Sequence, residues 1–392
     1  MAKILIFTAK WPFSSYEIDG GSVTVSQYVS ILSQNNELDY LYLKKNNIEI
    51  PCNVCGIHKL EVVDGSYLDY HTYNSVNSNK FLTRLENIEY NNKLIKDRID
   101  NYDLVVIVHC LQAMGLEKIL TPQQLKKVVV LPMLLSDAYI QSGDIVPQEY
   151  IAAEKNILQA VGNIITPSAN EKDYMVNTLK VEPSKIAVIP RAVGKEFVGC
   201  PHKLDNDCIK LCYVASFKNQ KNNIDAIKVI KSLNDKKINA QLHLIGTIQD
   251  KSVYQECLNL INTQNLQEKV VIHPIMSQED LAKFYQKMDF NISTSLSETF
   301  GRSIFEGLAM GLPTLAYSCL EEVINLTQKQ PGIVFVANVE DMADEIISIL
   351  SSKSYETLSK QAMEIGHNFA YSTQEQKLIS TIEQIIVNNK IV

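Results

Sequence analysis

The sequence has few of the features that mark membrane-spanning, secreted or nucleic-acid-binding proteins. Its 392 residues include 37 Lys and Arg against 44 Asp and Glu, a formal net charge of −7. This balance leaves no broad basic field for nucleic acid, so no such partner is expected. No apolar run approaches the ~20 residues that span a bilayer. The run Ile4–Thr8 is also too short for the apolar region of a signal peptide. We therefore expect a cytoplasmic protein, and peripheral docking at the inner face of a membrane remains open.

Cysteines are poorly grouped for metal or redox chemistry. Most of the eight lie singly in apolar segments, as small buried hydrophobic residues do. Cys52 and Cys55 form a C-x-x-C pair, but the surrounding residues predict two strands and a turn instead of the helix start of a redox motif. Cys208 and Cys212 fall on a predicted strand, so they do not supply a second pair of zinc ligands. No bound metal is expected.

Apolar runs of strand length alternate with helical patterns along most of the chain. Five runs predict strands before Pro190: Lys3–Thr8, Asp39–Leu43, Leu104–Val108, Val128–Leu131 and Asn163–Thr166. Five more follow it: Ile209–Val214, Gln241–Ile245, Val270–His273, Phe290–Thr294 and Thr314–Tyr317. This alternation is typical of parallel sheets covered by helices. Two series of similar length predict two doubly wound α/β domains.

The lapses in periodicity predict where these domains end. Regular patterning stops near Arg191–Cys200, so we place the first domain at 1–195 and the second at 196–370. A last helical pattern, Ser372–Val387, falls within residues 371–392. Segment Gly65–Arg98 is polar and Asn-rich, which predicts an irregular loop with one helix. Helices are also predicted between the strands of the second series: Asn222–Leu233, Ser252–Thr263, Gln278–Lys287 and Phe300–Met310.

The most informative stretch is Ser293–Tyr317, with the sequence STSLSETFGRSIFEGLAMGLPTLAY. It predicts a strand end, a loop that holds Glu298, and a helix from near Phe300 with Glu306 two turns inside. Gly301 allows another group to approach the first turn, where free N–H groups and the helix dipole suit phosphate. The plainer alternative is two solvated glutamates on a surface helix. That alternative leaves the glycine before the helix and the Gly-x-Pro after it unexplained.

This stretch resembles the E-x7-E motif of retaining glycosyltransferases with the GT-B fold, the large "family 4" group. It has the form S-x-x-E-x-F-G-x-x-x-x-E-G-x-A-x-G-x-P. The resemblance implies two Rossmann-like domains facing a central cleft, with a nucleotide diphosphate sugar as co-substrate and no other cofactor. It places Glu298 near the donor sugar and Glu306 at the ribose hydroxyls. It also implies that backbone N–H groups of Thr299, Phe300 and Gly301 bind the diphosphate.

Further segments match the same family in the expected order. Asp19–Gly20–Gly21 resembles its glycine-rich loop near the donor phosphate, although two glycines alone more often mark a turn. Tyr213–Asn222 resembles the segment from which an Arg and a Lys contact the diphosphate, and Lys221 matches that Lys. Ile186–Arg191 resembles the end of the first domain. Phe369–Ile386 resembles the C-terminal helix that crosses back to the first domain.

The chain also departs from the family pattern. Ser216 stands where the Arg of the diphosphate pair is usual, which leaves Lys218 or Arg302 as its substitute. Arg302 lies four residues from each glutamate of the motif, so it can instead pair with one of them. No His follows the strand Val128–Leu131. His109 is the nearest candidate for that catalytic position, and a buried loop histidine is the equal alternative.

The resemblance implies retaining transfer of a sugar to a hydroxyl acceptor, independent of metal because no D-x-D motif is suitably placed. It fits the synthesis of a glycan, polysaccharide or glycoconjugate, with a glycan, lipid-linked or small-molecule acceptor. Glu298, Lys221 and His109 are the predicted catalytic residues. Two alternatives stay open: a sugar-nucleotide epimerase of the same fold, and a non-catalytic partner subunit. The departures at Ser216 and Met133 make the second conceivable.

Overall fold

The computed structural model describes residues 1–11, 20–44, 54–65, 79–141, 143–204, 207–352 and 354–390. The chain divides into two compact units. Unit 1 comprises Met1–Pro190 together with Glu375–Val392, and unit 2 comprises Arg191–Gln374. The divisions fall a few residues from the predicted boundaries at 195 and 370. Among the described residues, every helix is too short or too polar to cross a membrane.

Unit 1 is built on a parallel sheet of seven strands in the order β3-β2-β1-β4-β5-β6-β7. Its central strands are continuous apolar runs, and every residue of Leu104–Val108 is buried, as expected for a sheet covered on both faces. The strands are β1 Lys3–Thr8, β2 Glu37–Lys44, β3 Lys59–Asp64, β4 Leu104–Val108, β5 Val128–Leu131, β6 Asn163–Thr166 and β7 Ile186–Val188.

The helices of unit 1 connect these strands. They are α1 Gly20–Leu32, α2 Lys80–Glu86, α3 Ile88–Lys96, α4 Pro122–Lys126, α5 Ser136–Gln141, α6 Gln148–Ala160 and α7 Ala169–Asn177. The prediction of one helix in Gly65–Arg98 is wrong, because α2 and α3 both lie there. Asn79 caps the start of α2 by accepting from the N–H of Phe81. Asn87 separates the two helices, and its amide donates back to the carbonyl of Thr83 at 2.9 Å.

Unit 2 has a parallel sheet of six strands in the order β10-β9-β8-β11-β12-β13. Its strands are β8 Ile209–Val214, β9 Ala240–Ile245, β10 Val270–His273, β11 Phe290–Ser293, β12 Thr314–Tyr317 and β13 Ile333–Val336. Its helices are α8 Asn223–Asp235, α9 Lys251–Thr263, α10 Gln278–Tyr285, α11 Arg302–Ala309, α12 Glu321–Thr327, α13 Val339–Ser352 and α14 Tyr355–Asn368. The final helix, α15 Tyr371–Lys390, begins in unit 2 and ends in unit 1.

The strand order of unit 2 reverses between β8 and β11, which pair in parallel through Leu211 with Phe290 and Cys212 with Asn291. Two loops therefore leave the carboxyl edge of the sheet side by side. We name them the β8 loop, residues 215–222, and the β11 loop, residues 294–301. Such a switch point is where open α/β sheets bind their ligands.

Candidate active site

Hydrogen bonds join the β8 and β11 loops to each other. The backbone N–H of Leu296 donates to the carbonyl of Gln220 at 2.9 Å. The side-chain amide of Gln220 donates to the carbonyl of Ser297 at 2.9 Å and to its hydroxyl at 3.0 Å. The hydroxyl of Thr294 donates to the carbonyl of Asn222 at 2.9 Å. The two loops thus form one connected surface above the switch point.

This arrangement brings together two of the predicted catalytic residues, Lys221 and Glu298. Lys221 ends a short 3₁₀ turn that begins at Asn219. Its Nζ lies 2.5 Å from Oε1 of Glu298, and the two side chains are only 17% and 12% exposed. An ion pair so well shielded from water interacts more strongly than an exposed surface pair.

Tyr213 supports this ion pair from the strand β8. Its phenol donates to the carbonyl of Lys221 at 2.6 Å and lies 2.8 Å from the hydroxyl of Ser295. That hydroxyl donates to Oε1 of Glu298 at 2.8 Å. Tyr213 is 1% exposed, and burial raises the pKa of its phenol. One buried hydroxyl therefore fixes both loops relative to each other.

The start of α11 follows the β11 loop and requires a glycine. Gly301 has φ of 76° and is the N-cap of the helix, in the left-handed region that other residues seldom adopt. A Cβ there would also lie 3.1 Å from Cδ1 of Ile304 and 3.3 Å from Cγ2 of Val323. Thr299 is partly exposed, whereas Phe300 is 1% exposed and its ring stacks on Phe305. Phe300 can therefore contact a ligand through its backbone but not through its buried side chain.

Glu306 lies inside α11 and is 2% exposed. Within the described part of the chain, its Oε1 has no hydrogen-bond partner. Burial raises the pKa of Glu306 to about 7, which the charge of Arg302 opposes and that of Glu196 reinforces. Buried polar atoms almost always have a partner, so this oxygen is suited to accept a hydrogen bond from a ligand hydroxyl.

The two candidate substitutes for the family's missing Arg differ in their surroundings. Arg302 donates from Nη1 to the carbonyl of Ala192 at 3.0 Å, which ties the start of α11 to the segment after β7. Lys218 is partly buried and precedes the turn that carries Lys221. Burial lowers the pKa of Lys218, and the charge of Lys221 lowers it further while that of Glu298 opposes. The role of either residue at the diphosphate stays a prediction.

The other predicted site residues belong to unit 1. His109 follows β4 with φ of 82° and accepts at Nδ1 from the N–H of Leu111 at 3.2 Å. Its catalytic role stays a prediction. Gly20 and Gly21 open α1, whereas Asp19 lies outside the described residues. Cys52 also lies outside them, and Cys55 is a free, exposed thiol.

Sequence analysis missed a buried carboxylate in unit 1. Glu154 on α6 is fully buried, and the N–H of Ser136 donates to its two oxygens at 3.1 and 3.2 Å. The hydroxyl of Ser136 also donates to Glu154 and lies 3.1 Å from the phenol of Tyr174. Burial raises the pKa of Glu154 to about 7. The helical spacing could have revealed it, because Glu154 lies on the same apolar face of the helix as Tyr150 and Ile157.

A second group of charged residues lies on β2 and beside β3. The side chains of Glu37, Asp39 and His58 present ligand atoms within 4.8 Å of one another. Nζ of Lys3 lies 3.1 Å from Glu37 and 3.8 Å from Asp39, and Nδ1 of His58 lies 2.9 Å from Asp39. The ammonium group of Lys3 thus already offsets part of the negative charge of these two carboxylates.

Comparison with known proteins adds a family to this geometry. Residues 201–365 match the family model "Glycosyl transferases group 1". The matching segment contains the β8 loop, the β11 loop and all of α11. Among curated proteins, no sequence matches this chain.

Solved structures match nearly the whole chain. Sucrose-phosphate synthase from Thermosynechococcus elongatus has a TM-score of 0.79 at 17% identity, covering 99% of this chain and 100% of that one. HepE from Anabaena, in complex with UDP and glucose, has a TM-score of 0.68 at 14% identity, covering 98% and 100%. The N-terminal domain of trehalose-6-phosphate phosphatase from Candida albicans has a TM-score of 0.75 at 10% identity, covering 98% and 97%.

Likeness at this identity shows the fold, and the prediction of two Rossmann-like α/β domains is confirmed. The family match lies within unit 2 and associates that unit with glycosyl transfer. The chain therefore has the GT-B fold, and the match of its residues 201–365 to the group 1 glycosyltransferase model supports a role in glycosyl transfer.

Proposed function

We propose that this protein transfers a sugar from a nucleotide diphosphate donor to a hydroxyl acceptor with retention of anomeric configuration. The observation that carries the proposal is the meeting of Lys221, Glu298 and the start of α11 at the switch point of unit 2. These groups lie in the segment that matches the glycosyltransferase family. Glu306 adds a buried oxygen suited to a ribose hydroxyl.

Departure of the nucleoside diphosphate is the main electrostatic problem of such a reaction. Lys221 and Lys218 provide positive charge, and the N-terminus of α11 adds N–H donors and the positive end of its dipole. These groups suffice to stabilise the leaving diphosphate without a metal ion. The acceptor attacks on the face from which the diphosphate leaves, and the leaving phosphate takes the acceptor proton. Glu298 is therefore not a nucleophile of the glycosidase kind.

The donor and acceptor are proposed by class. The Anabaena HepE structure contains UDP and glucose, which supports a nucleotide-sugar donor for this chain. A glycan, a lipid-linked sugar or a small molecule serves as acceptor in our proposal. Action in the cytoplasm, with docking at the inner face of a membrane, is consistent with that acceptor set.

Incubation with a panel of nucleotide sugars in excess EDTA tests the proposal. We expect slow release of free nucleoside diphosphate from one donor, and loss of that release in Lys221→Met. Conversion of one sugar nucleotide into another would favour the epimerase. No change in any donor would favour the non-catalytic subunit. Release that needs added Mn²⁺ would contradict metal independence.

A further inference from the structure

Two anions can bind the ammonium group of Lys221: the carboxylate of Glu298 and the diphosphate of the donor. The ammonium that we assign to the donor diphosphate already contacts Oε1 of Glu298 at 2.5 Å, in a pair that water barely reaches. A phosphate oxygen that binds this ammonium must displace the carboxylate or lie close to it. Two anions around one cation repel each other, and the repulsion is larger where water is largely excluded.

Hydrogen bonds between the two loops also hold Glu298 next to Lys221. The hydroxyl of Ser295 donates to the same oxygen that Lys221 contacts. Tyr213 joins that hydroxyl to the backbone of Lys221, and Gln220 joins the two loops again at Ser297. The carboxylate and the ammonium are therefore held together by their loops as well as by their charges.

We infer that Glu298 competes with the diphosphate for Lys221 and so promotes release of the nucleoside diphosphate product. The inference rests on the proposed function. With the full donor bound, the sugar hydroxyls offer Glu298 hydrogen bonds in exchange for its contact with Lys221. After transfer, the sugar is gone and this compensation is lost. The carboxylate then returns to Lys221 and weakens the hold on the diphosphate.

The competition predicts an unusual effect of Glu298→Gln, which keeps the shape and removes the charge. UDP, GDP and ADP are titrated into each protein by calorimetry. The nucleoside diphosphate that binds the wild type should bind Glu298→Gln about tenfold tighter, equivalent to about 1.4 kcal/mol. Turnover of the full donor should fall in the same variant. The matched control, Glu306→Gln, should bind the same nucleoside diphosphate more weakly.

A double-mutant cycle with Lys221→Met separates competition from general repulsion. In the Lys221→Met background, Glu298→Gln should change the affinity less than about twofold. Equal tightening in both backgrounds would overturn the inference, because the carboxylate would then act on the phosphate directly. Unchanged or weaker binding by Glu298→Gln alone would also overturn it. If the wild type binds none of the three diphosphates, it is the proposed function that fails.

Discussion

Two glutamates in one short segment occupy very different surroundings. Glu298 precedes α11 and contacts a cation, whereas Glu306 lies inside the helix with an oxygen that lacks a partner among the described residues. The first is suited to exchange partners during a reaction. The second is suited to receive a ligand hydroxyl in a place from which water is excluded.

The pKa of Glu306, raised to about 7 by burial, predicts pH-dependent binding of the nucleoside diphosphate. In the proposed complex the ionised carboxylate accepts hydrogen bonds from the ribose hydroxyls, so affinity should rise as pH increases from 6 to 8. Glu306→Gln should lose this component and bind about tenfold more weakly at pH 8, within the range for a charge-assisted hydrogen bond. Calorimetry across this range measures both effects.

The same titration of Glu306→Gln controls for ionisation of the phosphate, which both proteins share. Identical affinities of the two proteins at every pH would contradict the assignment of Glu306 to the ribose.

Local motifs made some of these residues predictable and not others. Glu298, Gly301 and Glu306 could be recognised because all three belong to one continuous motif around the start of a helix. The contact between Lys221 and Glu298 joins residues far apart in sequence and depends on the pairing of β8 with β11. The contact of Arg302 with the carbonyl of Ala192 also joins residues far apart in sequence. Linear spacing also suggested that Arg302 pairs with a glutamate of the motif, and the charges of Arg302 and Glu306 do act on each other's pKa.

At the scale of elements, buried strands were the easiest to predict. Runs such as Leu104–Val108 and Val128–Leu131 are apolar throughout and match β4 and β5. The strands β7 and β13 escaped prediction, and both lie at sheet edges. Each is short, and two residues of Ile333–Val336 are only partly buried. A strand that packs less of its surface carries a weaker apolar signal.

The buried contact between α5 and α6 predicts how the stability of unit 1 depends on pH. Burial raises the pKa of Glu154 from 4.5 to about 7. Between these values the folded protein keeps the proton and the unfolded chain releases it, so stability falls as pH rises. Glu154→Gln has no such proton, and its amide can still donate to and accept from Ser136. Relative to wild type, it should gain about 2–3 kcal/mol between pH 5 and pH 8.

Urea unfolding followed by fluorescence measures this gain. Trp11 is the only tryptophan and lies buried in unit 1, so its signal reports that unit in a chain that need not unfold in one step. A constant stability difference between Glu154→Gln and wild type at both pH values would show that Glu154 keeps an ordinary pKa.

At the scale of the whole molecule, the two units are recognised in different ways. Unit 2 contains the segment that matches a sequence family, and the candidate donor chemistry lies there. Unit 1 is recognised through its fold, at 10–17% identity over the whole chain. Fold alone does not imply function. The class of reaction was therefore predictable from sequence. The identity of the acceptor was not, because no local motif marks the side chains that would bind it.

Retaining transfer from a nucleotide sugar is the central claim, and proton NMR of the protein with its donor tests it most directly. Without an acceptor, water takes the acceptor's place, and the first sugar released shows its anomeric configuration before mutarotation. We predict that this sugar has the configuration of the donor and that Lys221→Met releases almost none. Release of the opposite anomer, or the appearance of an epimeric sugar nucleotide, would contradict the account.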